Sequence, residues 1–272
     1  MIVKVVLIQM AVTDEETGSL RMEKADAYLK QIEATPETPD LILFPELWKC
    51  GFQNFAGYED AAEELHGETW QFMSRWAKRL QCYIHSGSFV EKRIMEAGGG
   101  TAFYNTSVLF DREGCETGIY RKIHLFGFES MEQKILTAGQ SVTEVETEFG
   151  RTGMATCYDL RFPEQFRVQK DAVPGIFLIT AAWPAARLEH WRLFNQVRAV
   201  ENQCYVISCN AAGTRCGVTG AGHSMITDPM GNILAEASEQ EEMIRCDLNP
   251  RLSEKWRGQF PALKDRKEIS VS

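Results

Sequence analysis

Residues 152–164 read TGMATCYDLRFPE, and the way this stretch divides decides the fold. Its first half is apolar and strand-like and ends at Cys157. The continuation, YDLRFPEQF, reads as the opening of a helix. A strand that passes directly into a helix is the building unit of an α/β protein. It also leaves one cysteine on the turn, as either a core thiol or a nucleophile.

The same alternation extends in both directions from that turn. VKVVLIQM reads as a first strand. SLRMEKADAYLKQIEA places Leu20, Ala25, Tyr28, Leu29 and Ile32 at helical spacing behind a Ser19 cap. LILFPELW is a buried strand, TWQFMSRWAKRL a helix behind Thr69, and CYIHSGSFVE another strand. FYNTSVLFD, the turn DREG and TGIYRKIHLF form a hairpin, and EVETEFGRTGMATC forms a second one that runs into Cys157. GIFLITAAWP is a strand, LEHWRLFNQVRAVENQ a long helix and CYVISCN a strand. The hairpin HSMITDPMGNILAEAS and the strand MIRCDL close the pattern. No linker interrupts it, so residues 1–272 read as a single α/β domain with mixed sheets. The last segment, from about residue 250, is polar with isolated aromatics and reads as an extended tail that packs on a second subunit.

Composition narrows the function. The chain is 44% hydrophobic and 25% charged, with a formal net charge of −9 and a pI near 5.2. No basic block is present, which argues against nucleic acid or an anionic membrane as partner. The apolar N-terminal run is short and turns acidic, unlike a signal peptide or a membrane span. Eight scattered cysteines, with no CxxC, suit reduced thiols in the cytoplasm.

A catalytic cysteine needs a base or a positive field beside it, because a free thiol is only slightly ionised at neutral pH. None of the five histidines sits in a cysteine-protease signature. Glu46, at the end of LILFPELW, and Lys122, in GIYRKIHLF, offer another route. A charge at the end of a buried strand is costly unless it is paired or working. Glu46, Lys122 and Cys157 each close a strand, and neighbouring strand ends converge on one pocket. Each residue alone also fits a structural role; their coincidence is what points to a site.

LILFPELW, YRKIHLF and TCYDLRFPE together resemble the three signatures of the nitrilase or carbon–nitrogen hydrolase superfamily, whose members carry a Glu–Lys–Cys triad. AAWPAARLEHW, RAVENQCYV and AGHSMITDPMGNIL extend the resemblance over nearly the whole chain, and the first of these, with CYDLRFPE, looks most like the ω-amidase branch. The resemblance implies a four-layer α-β-β-α sandwich assembled at least as a homodimer, and a reaction without metal or organic cofactor. It implies hydrolysis of 2-oxo-dicarboxylic acid monoamides such as 2-oxoglutaramate, with N-carbamoyl amines, deaminated glutathione or nitriles as the alternatives in sister branches. A non-catalytic binding protein of the same fold would have lost a triad member.

In that scheme Glu46 is the general base, Cys157 the nucleophile, and Lys122 with the Tyr158 backbone N–H the oxyanion site. The family's second active-site glutamate falls on Glu132 counting back from Gly139, and on Glu129 counting forward from Lys122; we take Glu132. Cys50 stands where close relatives often carry a small hydroxyl residue.

Holding a substrate carboxylate calls for an arginine fork. Arg187 is the first candidate and Arg161 the second, the latter also fitting a structural salt bridge. Trp183 and Trp48 are candidate pocket walls, though aromatics at strand ends are often core. Arg198 and Glu201 read as a surface or interface ion pair and His124 as a hydrogen-bonding neighbour of the site. Cys204, Cys209, Cys216 and His223 match no zinc spacing, and Cys204 and Cys209 should point to opposite faces of a strand.

Overall fold

A computed structural model describes residues 2–95, 100–168 and 173–267 of the protein. In chain order the first half comprises β1 (Val3–Gln9), α1 (Gly18–Glu33), β2 (Leu41–Leu43), α2 (Tyr58–Ala61), α3 (Glu68–Leu80), β3 (Tyr83–His85), β4 (Phe89–Ile94), β5 (Thr101–Phe110) and β6 (Glu116–Arg121). The second half comprises α4 (Glu132–Ile135), β7 (Thr143–Thr147), β8 (Gly150–Thr156), α5 (Pro163–Arg167), β9 (Ile176–Ala181), α6 (Leu188–Asn202) and β10 (Tyr205–Asn210). It closes with β11 (Thr214–Arg215), β12 (Val218–Thr219), β13 (Met225–Thr227), β14 (Ile233–Glu236), β15 (Glu242–Leu248) and α7 (Leu252–Gln259).

One sheet runs β15-β1-β2-β3-β5-β4, with β6 also on β5; the other runs β14-β13-β10-β9-β8-β7. Both are mixed: β1 pairs parallel with β2 and antiparallel with β15, and β9 pairs parallel with β8 and β10. The alternation of side chains along each strand builds the layers. On β1, Val3, Val5 and Leu7 meet Ile176, Leu178 and Ile207 of the second sheet. Val6, Ile8 and Met10 point the other way, onto Leu29 and Ile32 of α1 and Met73 and Trp76 of α3. Likewise Phe177 and Ile179 of β9 pack under Trp191 and Ala199 of α6. The result is α-β-β-α, four layers thick. Each fully buried aliphatic chain in these interfaces contributes roughly 1.5–3 kcal/mol.

Several local expectations change. Thr17, not Ser19, caps α1, its hydroxyl accepting from Leu20 N at 3.2 Å. Thr69 lies inside α3 and is held by Glu63, which accepts from its N–H at 2.6 Å. LILFPELW is strand only at Leu41–Leu43. CYIHSGSFVE is two strands, β3 and β4, split by a turn at Gly87 (φ 66). A Cβ there would lie 2.2 Å from the Pro45 carbonyl, so only glycine lets the two loops touch.

The tail differs most. Its described part is not extended: α7 packs on its own chain through Ser253, which donates to Gly175 O at 2.8 Å, and Arg257, which donates to the Val173, Pro174, Asn202 and Gln203 carbonyls. Residues 268–272 of that tail lie outside the described residues. No helix among the described residues is long and apolar enough to cross a membrane.

Candidate active site

Three strand ends deliver three side chains to one place. Glu46 sits just past β2 on a loop tied down from both sheets: its N–H donates to Ala181 O at 3.2 Å, and the next N–H, of Leu47, donates to Ser88 Oγ at 2.9 Å. Lys122 follows β6 directly, its N–H bonded to Asn105 O at 2.9 Å and its carbonyl accepting from Gly139 N at 2.8 Å. A Cβ on Gly139 would lie 2.0 Å from Arg121 O, so glycine lets this loop close over Lys122. Cys157 follows β8 directly.

The turn after β8 is strained and then braced. Cys157 has φ 49, left-handed backbone that a non-glycine residue adopts at a cost. Asp159, fully buried, holds it there. Its Oδ2 accepts from Thr156 N at 2.8 Å and from the Tyr120 hydroxyl at 2.6 Å; its Oδ1 accepts from His124 N at 3.0 Å. Tyr120 and His124 flank Lys122, so one carboxylate pins the cysteine turn to the lysine strand.

The charges are buried and mutually satisfied. Glu46, Lys122 and Glu132 have no exposure. Lys122 Nζ lies 2.9 Å from Glu46 Oε1, and 2.9 and 3.1 Å from the two oxygens of Glu132. Asn105 Nδ2 adds a bond to Glu46 Oε1 at 2.8 Å, and the Ala182 N–H one to Glu46 Oε2 at 2.9 Å. Phe126 N donates to Glu132 Oε2 at 2.6 Å.

Burial alone would depress the Lys122 value, but Glu132 and Glu46 outweigh it and hold the ammonium charged. Burial raises Glu132 above the usual carboxylate range, and Lys122 only partly offsets this. Cys157 is pushed well above the ordinary thiol value, first by burial and then by the Glu46 charge; Lys122 and the Ala182 N–H pull the other way and lose. These effects favour the neutral thiol of Cys157, which lies beside the Glu46 carboxyl group.

A cavity of about 530 Å³ opens onto Cys157. Trp183 and Tyr158 wall it, and Arg161 and Arg187 lie on its lining. The Arg161 guanidinium rests 4.9 Å from the Trp183 ring centre and the Arg187 guanidinium 5.8 Å from that of Phe126. Among the described residues neither makes an ion pair, so the salt bridge considered for Arg161 is absent.

Other candidates are distributed as follows. Glu132 is on the lysine, whereas Glu129 is exposed at the cavity mouth. Trp48 is not a wall: it is fully buried in the first outer core, because its indole N–H bonds Ser86 O at 2.9 Å and its ring packs on Phe44. Cys50 is buried nearby, behind the lining residues Phe52 and Gln53. Arg198 is no surface residue; it is buried, pairs with Glu201 and donates to Leu160 O at 3.0 Å, under the cysteine turn. His124 bonds Asp159 and stacks on Phe162 at 3.8 Å. Cys204 packs under α6 and Cys209 between the sheets, while His223 pairs with Glu236. Among the described residues no His, Cys, Asp and Glu side chains gather as metal ligands.

Sequence reasoning missed Asn105, Asp159 and Tyr120. Asn105 had a visible signal, a lone amide inside the apolar run FYNTSVLF.

A model of the carbon–nitrogen hydrolase family matches residues 4–258. The chain is 39% identical over 232 residues to a 2-oxoglutaramate amidase of Paenarthrobacter nicotinovorans, covering 84% of this chain and 78% of that one. It is 32% identical over 252 residues to the 2-oxoglutaramate amidase of Bacillus subtilis, covering 92% and 93%. The fold superposes on XC1258 of Xanthomonas campestris, a CN-hydrolase superfamily protein with an arsenic adduct in its active site, with a TM-score of 0.86 at 27% identity over all of both chains. The chain belongs to the carbon–nitrogen hydrolase family, as an amidase.

Proposed function

We propose that this enzyme hydrolyses the terminal amide of a 2-oxo-dicarboxylic acid monoamide, such as 2-oxoglutaramate, through a thioester on Cys157. The observation that carries the substrate reading is the pair of guanidiniums, Arg161 and Arg187, on the wall of the cavity that ends at Cys157, neither in an ion pair among the described residues. They suit the carboxylate of a substrate whose amide reaches the thiol. The two relatives named as 2-oxoglutaramate amidases support it.

The charge balance prescribes the chemistry. A free thiolate would add a negative charge beside Glu46 in a buried site. Proton transfer to Glu46 as sulfur attacks the amide carbon avoids this. The negative charge then moves to the carbonyl oxygen, where the Lys122 ammonium and the Tyr158 backbone N–H receive it. Each such donor typically contributes on the order of 3 kcal/mol. Glu46 returns its proton to the departing ammonia and next takes one from the water that cleaves the thioester. Glu132 keeps Lys122 charged and directed throughout.

Free thiols at all eight cysteines suit a cytoplasmic setting. A homodimer would cover Leu193, Val197 and Val200 on the exposed face of α6.

Ammonia release from 2-oxoglutaramate, 2-oxosuccinamate, deaminated glutathione, an N-carbamoyl amine and an aliphatic nitrile tests the assignment. We expect preference for the 2-oxo amides. Turnover of only another compound in the series would keep the Cys157 chemistry and overturn the substrate.

A further inference from the structure

Next to the substrate cavity is a much smaller space, about 30 Å³, bounded by Val12, Glu46, Ala212 and Arg215. That is close to the share of liquid volume taken by one water molecule. Phe52, Gln53, Ala182 and Val218 line both spaces, so the chamber adjoins the substrate cavity at the wall whose Ala182 N–H holds Glu46. The β11–β12 hairpin covers it, carrying Arg215 inward. A Cβ on Gly51 (φ 85) would lie 2.6 Å from Arg215 Cδ, so the arginine is wedged against that backbone. One of its terminal nitrogens donates to Thr13 O at 2.6 Å, yet its Nε–H is buried with no partner. A recess with room for a water molecule, lined both by a buried carboxylate and by a guanidinium with one buried, unpartnered N–H, has the polarity of a hydration site.

We infer that this chamber seats the water that hydrolyses the acyl-enzyme, held between the Arg215 Nε–H and the Glu46 carboxylate. The inference rests on the reading of Cys157 as the acylated nucleophile. Ammonia leaves with a proton from Glu46, and water attacks while giving one to Glu46, so both molecules pass on the Glu46 side of the carbonyl. They are nearly the same size, and a chamber beside Glu46 holds the water ready as ammonia departs. In the step itself the water oxygen forms the new C–O bond as the C–S bond breaks. One water proton passes to Glu46 and from it to the departing Cys157 sulfur; the other stays on the product carboxyl group. Arg215 touches neither substrate nor sulfur and is a positioning residue.

The test separates acylation from deacylation in the full-length enzyme with 2-oxoglutaramate or whichever amide it turns over. Ala212→Val and Val12→Leu fill the chamber from two walls, so that one can fail to fold without losing the experiment; Arg215→Met removes the donor. Rapid-quench ammonia assays and intact-mass spectrometry follow each variant. We expect an ammonia burst of one equivalent per subunit at the wild-type rate, then turnover slowed tenfold or more, with acylated Cys157 accumulating. Unchanged turnover in the folded filling variants, or slow turnover with no accumulated thioester, overturns the chamber. If Cys157→Ala still releases ammonia within tenfold of the wild-type rate, the nucleophile reading itself fails, a result distinct from the other two.

Discussion

The floor and the rim of the site handle charge in opposite ways. On the floor, Lys122 lies between Glu46 and Glu132, all three out of water and each within 2.9 Å of an opposite charge. On the rim, Arg161 and Arg187 rest on aromatic faces, and neither makes an ion pair among the described residues. A buried ion must be compensated inside the protein; a half-exposed one can wait for a ligand. The floor is thus complete without substrate; under the proposed function it serves the reaction, and the rim, completed by substrate, serves recognition.

Removing the nucleophile gives the largest effect. Cys157→Ala should lower kcat on the order of 10⁴-fold or more, with its melting transition kept, since Ala occupies the same turn and leaves the floor charges paired. Residual turnover within tenfold of wild type would remove Cys157 from the mechanism.

Lys122→Met attacks the floor directly. Steady-state assays should show kcat down on the order of 10²–10³-fold, and denaturant titration a stability loss of about 3–5 kcal/mol, because two carboxylates are left buried without their cation. Adding Glu132→Gln should recover part of the stability and none of the rate. Recovery of both would mean that the lysine is structural.

The rim should behave differently. Arg187→Ala is expected to raise KM for carboxylate-bearing amides roughly 10- to 100-fold, the worth of a lost charge-assisted hydrogen bond, with little change for simple aliphatic amides or in stability. Arg161→Ala, in the same pair of assays, decides whether the carboxylate is shared between them. Equal KM changes on both amide types would erase the distinction between floor and rim.

How far the residues announced this arrangement depends on the same distinction. Strand-end positions of Glu46, Lys122 and Cys157 could be read from apolar runs that stop at a charge or a thiol, because burying an unpaired charge is expensive. The layers followed from alternation along β1 and β9. What was illegible depends on contacts between distant segments. Nothing local in CYDLRFPE shows that Asp159 reaches Tyr120 and His124 across the sheets. Trp48 and Trp183 are both tryptophans past strand ends, and only the direction of each indole N–H, to Ser86 O or to Arg187 O, separates core from cavity wall. The Gly87 turn did have a signal, the Ser-Gly-Ser inside CYIHSGSFVE, outweighed by the β-prone runs on either side, whereas the α7 tail was hidden because Arg257 finds its four carbonyls only in the folded chain.

His85 provides the smallest and most discriminating case, a titratable group buried on β3 with neither ring nitrogen partnered. Where the floor keeps its ions by pairing them, this residue escapes the cost by staying neutral, and burial pulls its pKa down to about 3. The unfolded chain has the ordinary value of 6.5. Between those values the unfolded state binds the extra proton, so the contribution is whole above pH 6.5 and is lost as pH falls toward about 3. At pH 5.5 the loss should be about 1 kcal/mol. Urea titrations at neutral pH and at pH 5.5 should show this difference in wild type and a shallower one in His85→Leu, whatever that variant's stability at neutral pH. An unchanged acid slope would mean that the ring finds a proton acceptor in the folded protein, and that this part of the interior, like the floor, holds its charge by pairing.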